Sequence, residues 1–449
     1  MTVDSSRAEP LIFVGACDFA GLVRGKAFPA TDLAERERSG VGYTGSNIML
    51  SAFGPIYATP FGTFGDLKLV PDLTTRTRIG AGGFADADTP ADGAVGAASA
   101  ELALGDLRNL DDTPWSCCPR AFLRRGLDAL AAEFDLTLLA AFEHEFVYTG
   151  VVDRAGSSYS FDMYRRSGSL GPHILAQLRA ARIVPDSFLP EYARRQFEVT
   201  VKPRIGVRAA DDAVLVREVV RACAEHDGER AIFAPLMDPD GVGNGTHIHF
   251  SLLDGQGAPA MYDANGALGV SARAAPFLAG IVEHMPVLTA LTTPSVPSFY
   301  RLRPNKWAPV WANIGERDRG AALRICPIFN RDRAAAPAAF NVEYRICDGT
   351  ANPYLALGAI VHAGLDGLRR NLAFPDHPQG PDADYAAARI SALPRSLIRA
   401  VDLLAESAAA ASWFGPEFLA AYVMFKRSEN GAVEALNEDD VCRRYVEVY

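Results

Sequence analysis

Residues 119–148 read PRAFLRRGLDALAAEFDLTLLAAFEHEFVY, and a change of rhythm inside this stretch decides the fold. Over residues 119–134 the apolar side chains recur at helical spacing. From Leu136 to Tyr148 the pattern becomes a β-rich apolar run interrupted only by Glu143-His144-Glu145. Successive side chains on a strand point to opposite faces, so Glu143 and Glu145 share one. Two adjacent carboxylates raise each other's pKa, and a cation between them removes that cost. A solvated acidic edge strand would show the same spacing. The flanks, TLLAAF before and FVY after, are too apolar for that, and a metal site is the better reading.

Working outward, further helices are expected over 172–182, 211–226, 271–291, 353–370 and 395–411. Strands are expected over 196–201 (QFEVTV), 246–253 (THIHFSLL) and 341–347 (NVEYRIC). Towards the N-terminus, 11–17 and 22–28 read as strands joined by a turn at Ala20-Gly21, and 66–70 as a strand stopped by Pro71. The alanine- and glycine-dense run 80–104 reads as a loop. The sequence therefore predicts an α+β fold in two units: a small strand-rich one over 1–112 and a larger one over 113–449.

Three more constellations carry polar chemistry within apolar surroundings. Glu198 stands in QFEVTV, with Glu191 just upstream. His247, His249 and Ser251 alternate after a Gly-Asn-Gly bend, where glycine lets backbone approach a ligand. Arg301, Arg303, Arg317, Arg319 and Arg324 cluster near Trp307, Trp311, Leu323, Ile325 and Pro327, followed by Glu343-x-Arg345 on one strand face. Such arginines suit bound carboxylates and phosphates. Hard oxygen donors dominate the set, which favours Mg2+ or Mn2+ over zinc. Several cations ringed by arginines fit phosphoryl transfer. No Walker A sequence and no GxGxxG after a strand is present, so neither of those nucleotide sites is available.

The chain has 449 residues, with 49% hydrophobic and 22% charged, and a formal net charge of -10. An acidic chain lacks the basic footprint that nucleic acid requires. The seven cysteines are scattered without CxxC spacing, as expected for reduced thiols. The N-terminus lacks an apolar signal region, and no apolar run reaches the roughly 18 residues of a membrane span. The expectation is a cytoplasmic protein with no nucleic-acid or membrane partner.

Taken in order, DFAGLVRGK, LVPDLTTR, PRAFLRRGLDAL, FEHEF, QFEV, GNGTHIHFSL, RLRPNKWAPV, RDRGAALRI and VEYRICDGTANPYLALGAIVHAGLDGL resemble the glutamine synthetase family across nearly the whole chain. The resemblance implies an N-terminal β-grasp domain and a catalytic domain on a curved antiparallel sheet. It implies homo-oligomeric rings, commonly two stacked hexamers (a dodecamer), with active sites between subunits. The implied chemistry is that ATP phosphorylates the γ-carboxylate of glutamate and an amine displaces the phosphate. Glu145, Glu191 and Glu198 match the ligands of one divalent metal. Glu143, His247 and Glu343 match those of a second, and two or three ions per site are implied. His249, Ser251 and Arg324 match nucleotide-side positions, and Arg319 the arginine on the transferring phosphoryl. Arg301 and Arg345 match catalytic residues that hold glutamate and the acyl phosphate, and Gly243 the glycine whose backbone holds glutamate.

Two departures bear on the amine. Thr44, in YTGSNI, and Trp307, in PNKWAP, stand where the family carries acids that bind and deprotonate ammonium. A small cation without compensating charge is costly to desolvate. Ammonium should bind poorly, and an alkyl or aryl monoamine should be preferred. A γ-glutamylpolyamine synthetase is a lesser expectation, because an aromatic face can hold a cation. Ordinary glutamine synthetase and a non-catalytic regulatory relative are the remaining alternatives. Val242 replaces a glutamate-contacting asparagine. The segment APAAFN before Glu343 lacks basic residues that some relatives turn towards ATP, which leaves that task to Arg331 or Arg333.

Overall fold

The computed structural model describes residues 9–62, 65–80, 100–329, 333–380 and 382–449. The chain opens with a sheet in the order β2 (Val23–Pro29), β1 (Leu11–Cys17), β6 (Ala100–Arg108), β4 (Asp66–Pro71), β3 (Val41–Thr44). β5 (Thr77–Ile79) also pairs with β6, and α1 (Leu33–Ser39) links β2 to β3. β1 and β6 run parallel, and every other pair in this sheet is antiparallel. Part of the run read as a loop, Ala100–Leu104, belongs to β6, where Leu102, Ala103 and Leu104 are buried. The rest of that run, 81–99, lies outside the described residues, as does Arg331.

After α2 (Pro119–Phe134) the chain builds two more sheets. One has the order β11 (Arg204–Ile205), β7 (Leu136–Phe142), β13 (Ile248–Asp254), β16 (Val342–Tyr344), β15 (Leu323–Ile325), β14 (Ile314–Glu316). The other is β12 (Ala231–Ile232), β8 (His144–Tyr148), β10 (Gln196–Val201), β9 (Pro185–Pro190). Helices α3 (Phe161–Arg166), α4 (Leu170–Ala180) and α5 (Val207–His226) fall among these strands. α6 (Ala275–Thr292) and α7 (Val296–Arg301) follow β13, and α8 (Ala336–Ala339) precedes β16. α9 (Pro353–Arg370), α10 (Leu397–Glu406), α11 (Ala408–Phe414), α12 (Pro416–Gly431) and α13 (Glu438–Val446) complete the chain.

Three further expectations need correction. Glu143 does not sit inside one strand with Glu145. The chain leaves β7 at Phe142, enters β8 at His144, and so passes from one sheet to the other. The two glutamates still face the same way, because Glu143 N donates to His247 O (2.9 Å) and Glu145 N to Gly245 O (3.1 Å), which carries the pleat across the break. The helix expected over 395–411 is two helices. Ser407 is extended and its side chain caps the second by accepting from Ala410 N. α6 is long and apolar enough to cross a membrane, contrary to the expectation, yet 78% of it is buried inside the fold. Its polar pair is matched on α9, where His284 meets Asp366 (2.7 Å) and Glu283 meets Arg370.

The N-terminal sheet is joined to the rest by buried polar contacts. Arg120 on α2 binds Asp72 (2.6 Å), Asp106 (3.0 Å) and Asp211 (2.9 Å). Asn352 caps α9 and also donates to Cys17 O and Asp18 O. Arg217 bridges Gly21 O and Gly349 O, at 2.9 Å each. All seven cysteines are free and buried.

Candidate active site

Strand register assembles the site. Glu198 on β10 lies directly opposite Glu145 on β8, and on β16 Glu343 is flanked by His249 of β13 and Arg324 of β15. Like charges directly opposite on a sheet are destabilising unless something neutralises them. The sheets frame a cleft of about 490 Å3 lined by Glu143, Glu145, Glu191, Glu198, His247, His249 and Glu343. Arg301, Arg319, Arg324 and Arg345 join them, with Val242 and Gly243 alongside.

The titration behaviour fits a cation-binding floor. Burial raises Glu198 well above the ordinary carboxylate range, reinforced by Glu143, Glu145, Glu191 and Glu343 around it. Burial and the Glu145 charge also raise Glu191. Glu143 is lowered: burial opposes ionisation there, but His247 and His249 outweigh it. One ligand atom each from Glu143, Glu198 and His247 lies within 4.8 Å of the others. The donor set is carboxylate oxygens and imidazole, which suits divalent Mg2+ or Mn2+. The residues therefore fit the metals that the sequence implies.

His247 Nδ1 stands 3.6 Å from Glu143 and 3.4 Å from Glu343, and His249 Nε2 stands 3.1 Å from Glu143. The other His249 nitrogen meets Asn341 Oδ1 at 2.8 Å, which fixes the ring. Glu343 is held by Arg324 (2.7 Å) and by Arg345. Arg345 Nε donates to Arg319 O, and Arg301 donates to Ile346 O and Arg345 O. Glu145 accepts from Gly245 N (2.6 Å) and Gln196 Nε2 (3.3 Å). Gly243 packs so closely that a Cβ there would meet Pro235 O at 2.3 Å and Arg301 Cδ at 2.8 Å. His144 faces the other way. It is buried against Phe142 and Phe233, and burial lowers its pKa to about 3. It is a core histidine.

Not every sequence candidate reaches the cleft. Ser251 lies further along β13, opposite Leu139, and is not part of the lining. Thr44 is exposed at the end of β3, opposite Asp66, outside the cleft of its own chain. Arg303 is drawn to Glu438, and Arg317 to Glu316. Trp307 is present at the mouth and 67% exposed, with its ring 6.1 Å from Tyr192 and near-parallel. Tyr192 in turn lies 6.5 Å from Tyr159. Sequence reasoning missed Tyr159, Tyr192, Gln196 and Lys306 in the lining. The available signal for two of them was adjacency: Tyr192 follows Glu191, and Lys306 precedes Trp307.

The comparisons agree with this geometry. The sequence profile described as "Glutamine synthetase, catalytic domain" matches residues 116–445, and the glutamine synthetase N-terminal domain profile matches residues 2–115. The chain is 35% identical over 447 residues to gamma-glutamylpolyamine synthetase GlnA3 of Streptomyces coelicolor, covering 95% of this chain and 91% of that protein. It is 28% identical to type-1 glutamine synthetase 1 of Dictyostelium discoideum, over 75% and 70% of the two chains. Among solved structures, a novel glutamine synthase homolog superposes over the whole of both chains with a TM-score of 0.89 at 35% identity. A GmaS/ADP complex superposes with a TM-score of 0.79 at 25% identity, covering 98% and 97%. From these matches, the chain belongs to the glutamine synthetase family, as an ATP-dependent carbon–nitrogen ligase.

Proposed function

We propose that this ligase joins the γ-carboxylate of glutamate to an organic monoamine, alkyl or aryl, through γ-glutamyl phosphate. In the first step a γ-carboxylate oxygen attacks the terminal phosphorus of ATP and ADP leaves. In the second the amine nitrogen attacks the acyl carbon, phosphate leaves and the nitrogen loses a proton. Glu145, Glu191 and Glu198 would hold one divalent cation, and Glu143, His247 and Glu343 another. These cations would neutralise phosphate charge during transfer. Arg319 and Arg324 meet the phosphates as forked donors. Arg345 and Arg301 bind the acyl side beside the Gly243 backbone.

One observation carries the choice of amine. The only carboxylates in the described lining are Glu143, Glu145, Glu191, Glu198 and Glu343, and this reading assigns all five to metals. None remains at the mouth for ammonium or for the second charge of a polyamine. What the mouth offers instead is Tyr159, Tyr192 and Trp307. The competing reading is a polyamine substrate. It draws support from the GlnA3 likeness and from the capacity of an aromatic face to hold a cation.

The deciding experiment is phosphate release with Mg-ATP and glutamate across ammonia, methylamine, isopropylamine, ethanolamine, putrescine and aniline. Turnover of a monoamine at least about tenfold above ammonia and putrescine is expected, a difference of about 1.4 kcal/mol. Putrescine as best substrate would move the assignment to polyamines. Ammonia alone would return the protein to glutamine synthetase proper. The same reading divides the chain into a β-grasp unit, 1–112, and a catalytic unit, 113–449. It places the protein in the cytoplasm as stacked hexameric rings, in which Thr44 would serve a neighbouring subunit's amine pocket. Sedimentation velocity tests the ring, and a monomer would exclude it.

A further inference from the structure

The loop that carries Trp307 is set in an unusual backbone conformation. Asn305 and Trp307 both have positive φ, 64° and 58°, a region that bulky residues avoid. Such a conformation persists only where its surroundings impose it. Between them, Lys306 turns inward and its ammonium donates to Pro239 O (3.0 Å) and Gly241 O (2.9 Å). Among the hydrogen bonds of the described residues, these two are the ones that tie the 304–308 loop to the 238–243 loop. Two charge-assisted bonds from one ammonium are a strong tie.

On the function proposed above, the two loops face different substrates. The second runs from the carbonyls Lys306 holds to Val242 and Gly243, which line the acyl side of the cleft. Gly243 is itself fixed, because its carbonyl accepts from Gln196 Nε2 at 3.0 Å and it packs against Arg301. The first presents Trp307 against Tyr192, the residue after Glu191. A single side chain thus hydrogen-bonds the loop that leads to Val242 and Gly243 to the loop that bears Trp307.

We propose that Lys306 is a positioning residue that locks the Trp307 loop onto the Val242–Gly243 loop, so that glutamate binding completes the amine pocket. This rests on the reading that Trp307 flanks the amine. Ordering the acyl-side loop would then strengthen amine binding, and by reciprocity the amine would strengthen glutamate binding.

The test is two-substrate kinetics of the full-length wild type, Lys306→Met and Lys306→Arg, with the amine KM measured at low and at saturating glutamate. Wild type should show an amine KM that falls about fivefold or more on saturation with glutamate, the lower end of ordinary coupling. In Lys306→Met that factor should collapse towards one and the amine KM at saturating glutamate should rise about tenfold. The ATP KM should move far less than the amine KM, and Lys306→Arg should recover part of the coupling. No coupling in wild type, or an ATP KM that rises in step with the amine KM in Lys306→Met, would overturn the proposal. The assay uses whichever amine the wild type turns over, ammonia included, so a wrong amine assignment does not decide it. A second readout needs no turnover. Glutamate should change the indole fluorescence of wild type, and the change should be lost in Trp307→Phe and in Lys306→Met. Its persistence in Lys306→Met would count equally against the idea.

Discussion

The floor and the mouth of the cleft are built by opposite means. The floor is built on paired strands and their ends: Glu145, Glu198, His249 and Glu343 lie in strands, and Glu143, Glu191 and His247 one residue beyond a strand end. Glu198, His247 and Glu343 are each 8% exposed or less, and hydrogen-bonded register fixes Glu145 against Glu198. The mouth is loop-borne and open. Tyr159, Tyr192 and Trp307 are 60%, 48% and 67% exposed, and two of them have positive φ. Phosphoryl transfer needs charges held in fixed places, which paired strands provide. Choice of nucleophile is a matter of surface shape, which loops can vary without disturbing the sheet.

The sharpest way to break this contrast is at the floor. Glu198→Ala should reduce phosphate release with every amine by about 10^3-fold or more, the several kcal/mol a catalytic metal supplies. An unchanged circular dichroism spectrum would show that the fold survives. A loss that depended on the amine would deny the separation of roles. At the mouth, Trp307→Glu introduces a carboxylate at the position that the sequence resemblance equates with an ammonium-binding acid. It should raise kcat/KM for ammonia and lower it for the best organic amine, each by about ten- to a hundredfold, as one charged hydrogen bond of roughly 1.5–3 kcal/mol allows. Parallel changes for both substrates would sink the idea that this position discriminates. The smallest effect belongs to Tyr192→Ala. Loss of one aromatic contact, about 0.5–1.5 kcal/mol, should raise the KM of a ring-bearing amine about two- to tenfold. The ammonia KM should be unmoved, and equal changes would make Tyr192 a structural residue.

Legibility in the sequence follows the same division. QFEVTV appears as β10 over Gln196–Val201, and the helix expected over 353–370 is α9 to the residue, because long periodic patterns override local noise. The carboxylates and imidazoles of the floor were legible because charge inside an apolar strand is conspicuous. The break at Glu143 was not, since the pleat continues through bonds to residues a hundred positions away. Tyr159 was illegible, and Tyr192 and Lys306 were marked only by adjacency, for a different reason. Their importance arises from loop backbone geometry, and an aromatic or lysine in a polar segment carries no periodic pattern of its own. Ser251 shows the converse, since period two and the family resemblance placed it with His249, while it lies further along β13 and outside the cleft lining.

Arg120 lies 4% exposed among Asp72, Asp106 and Asp211, and Tyr354 OH donates to Asp211. The first two aspartates come from the N-terminal sheet region and the third from α5. Separating these segments would strand a buried guanidinium among partners that only the intact chain supplies, a heavier loss than the pairing gained in the first place. On heating, such a molecule should melt cooperatively, and its calorimetric trace should show one endotherm rather than a sheet-first shoulder.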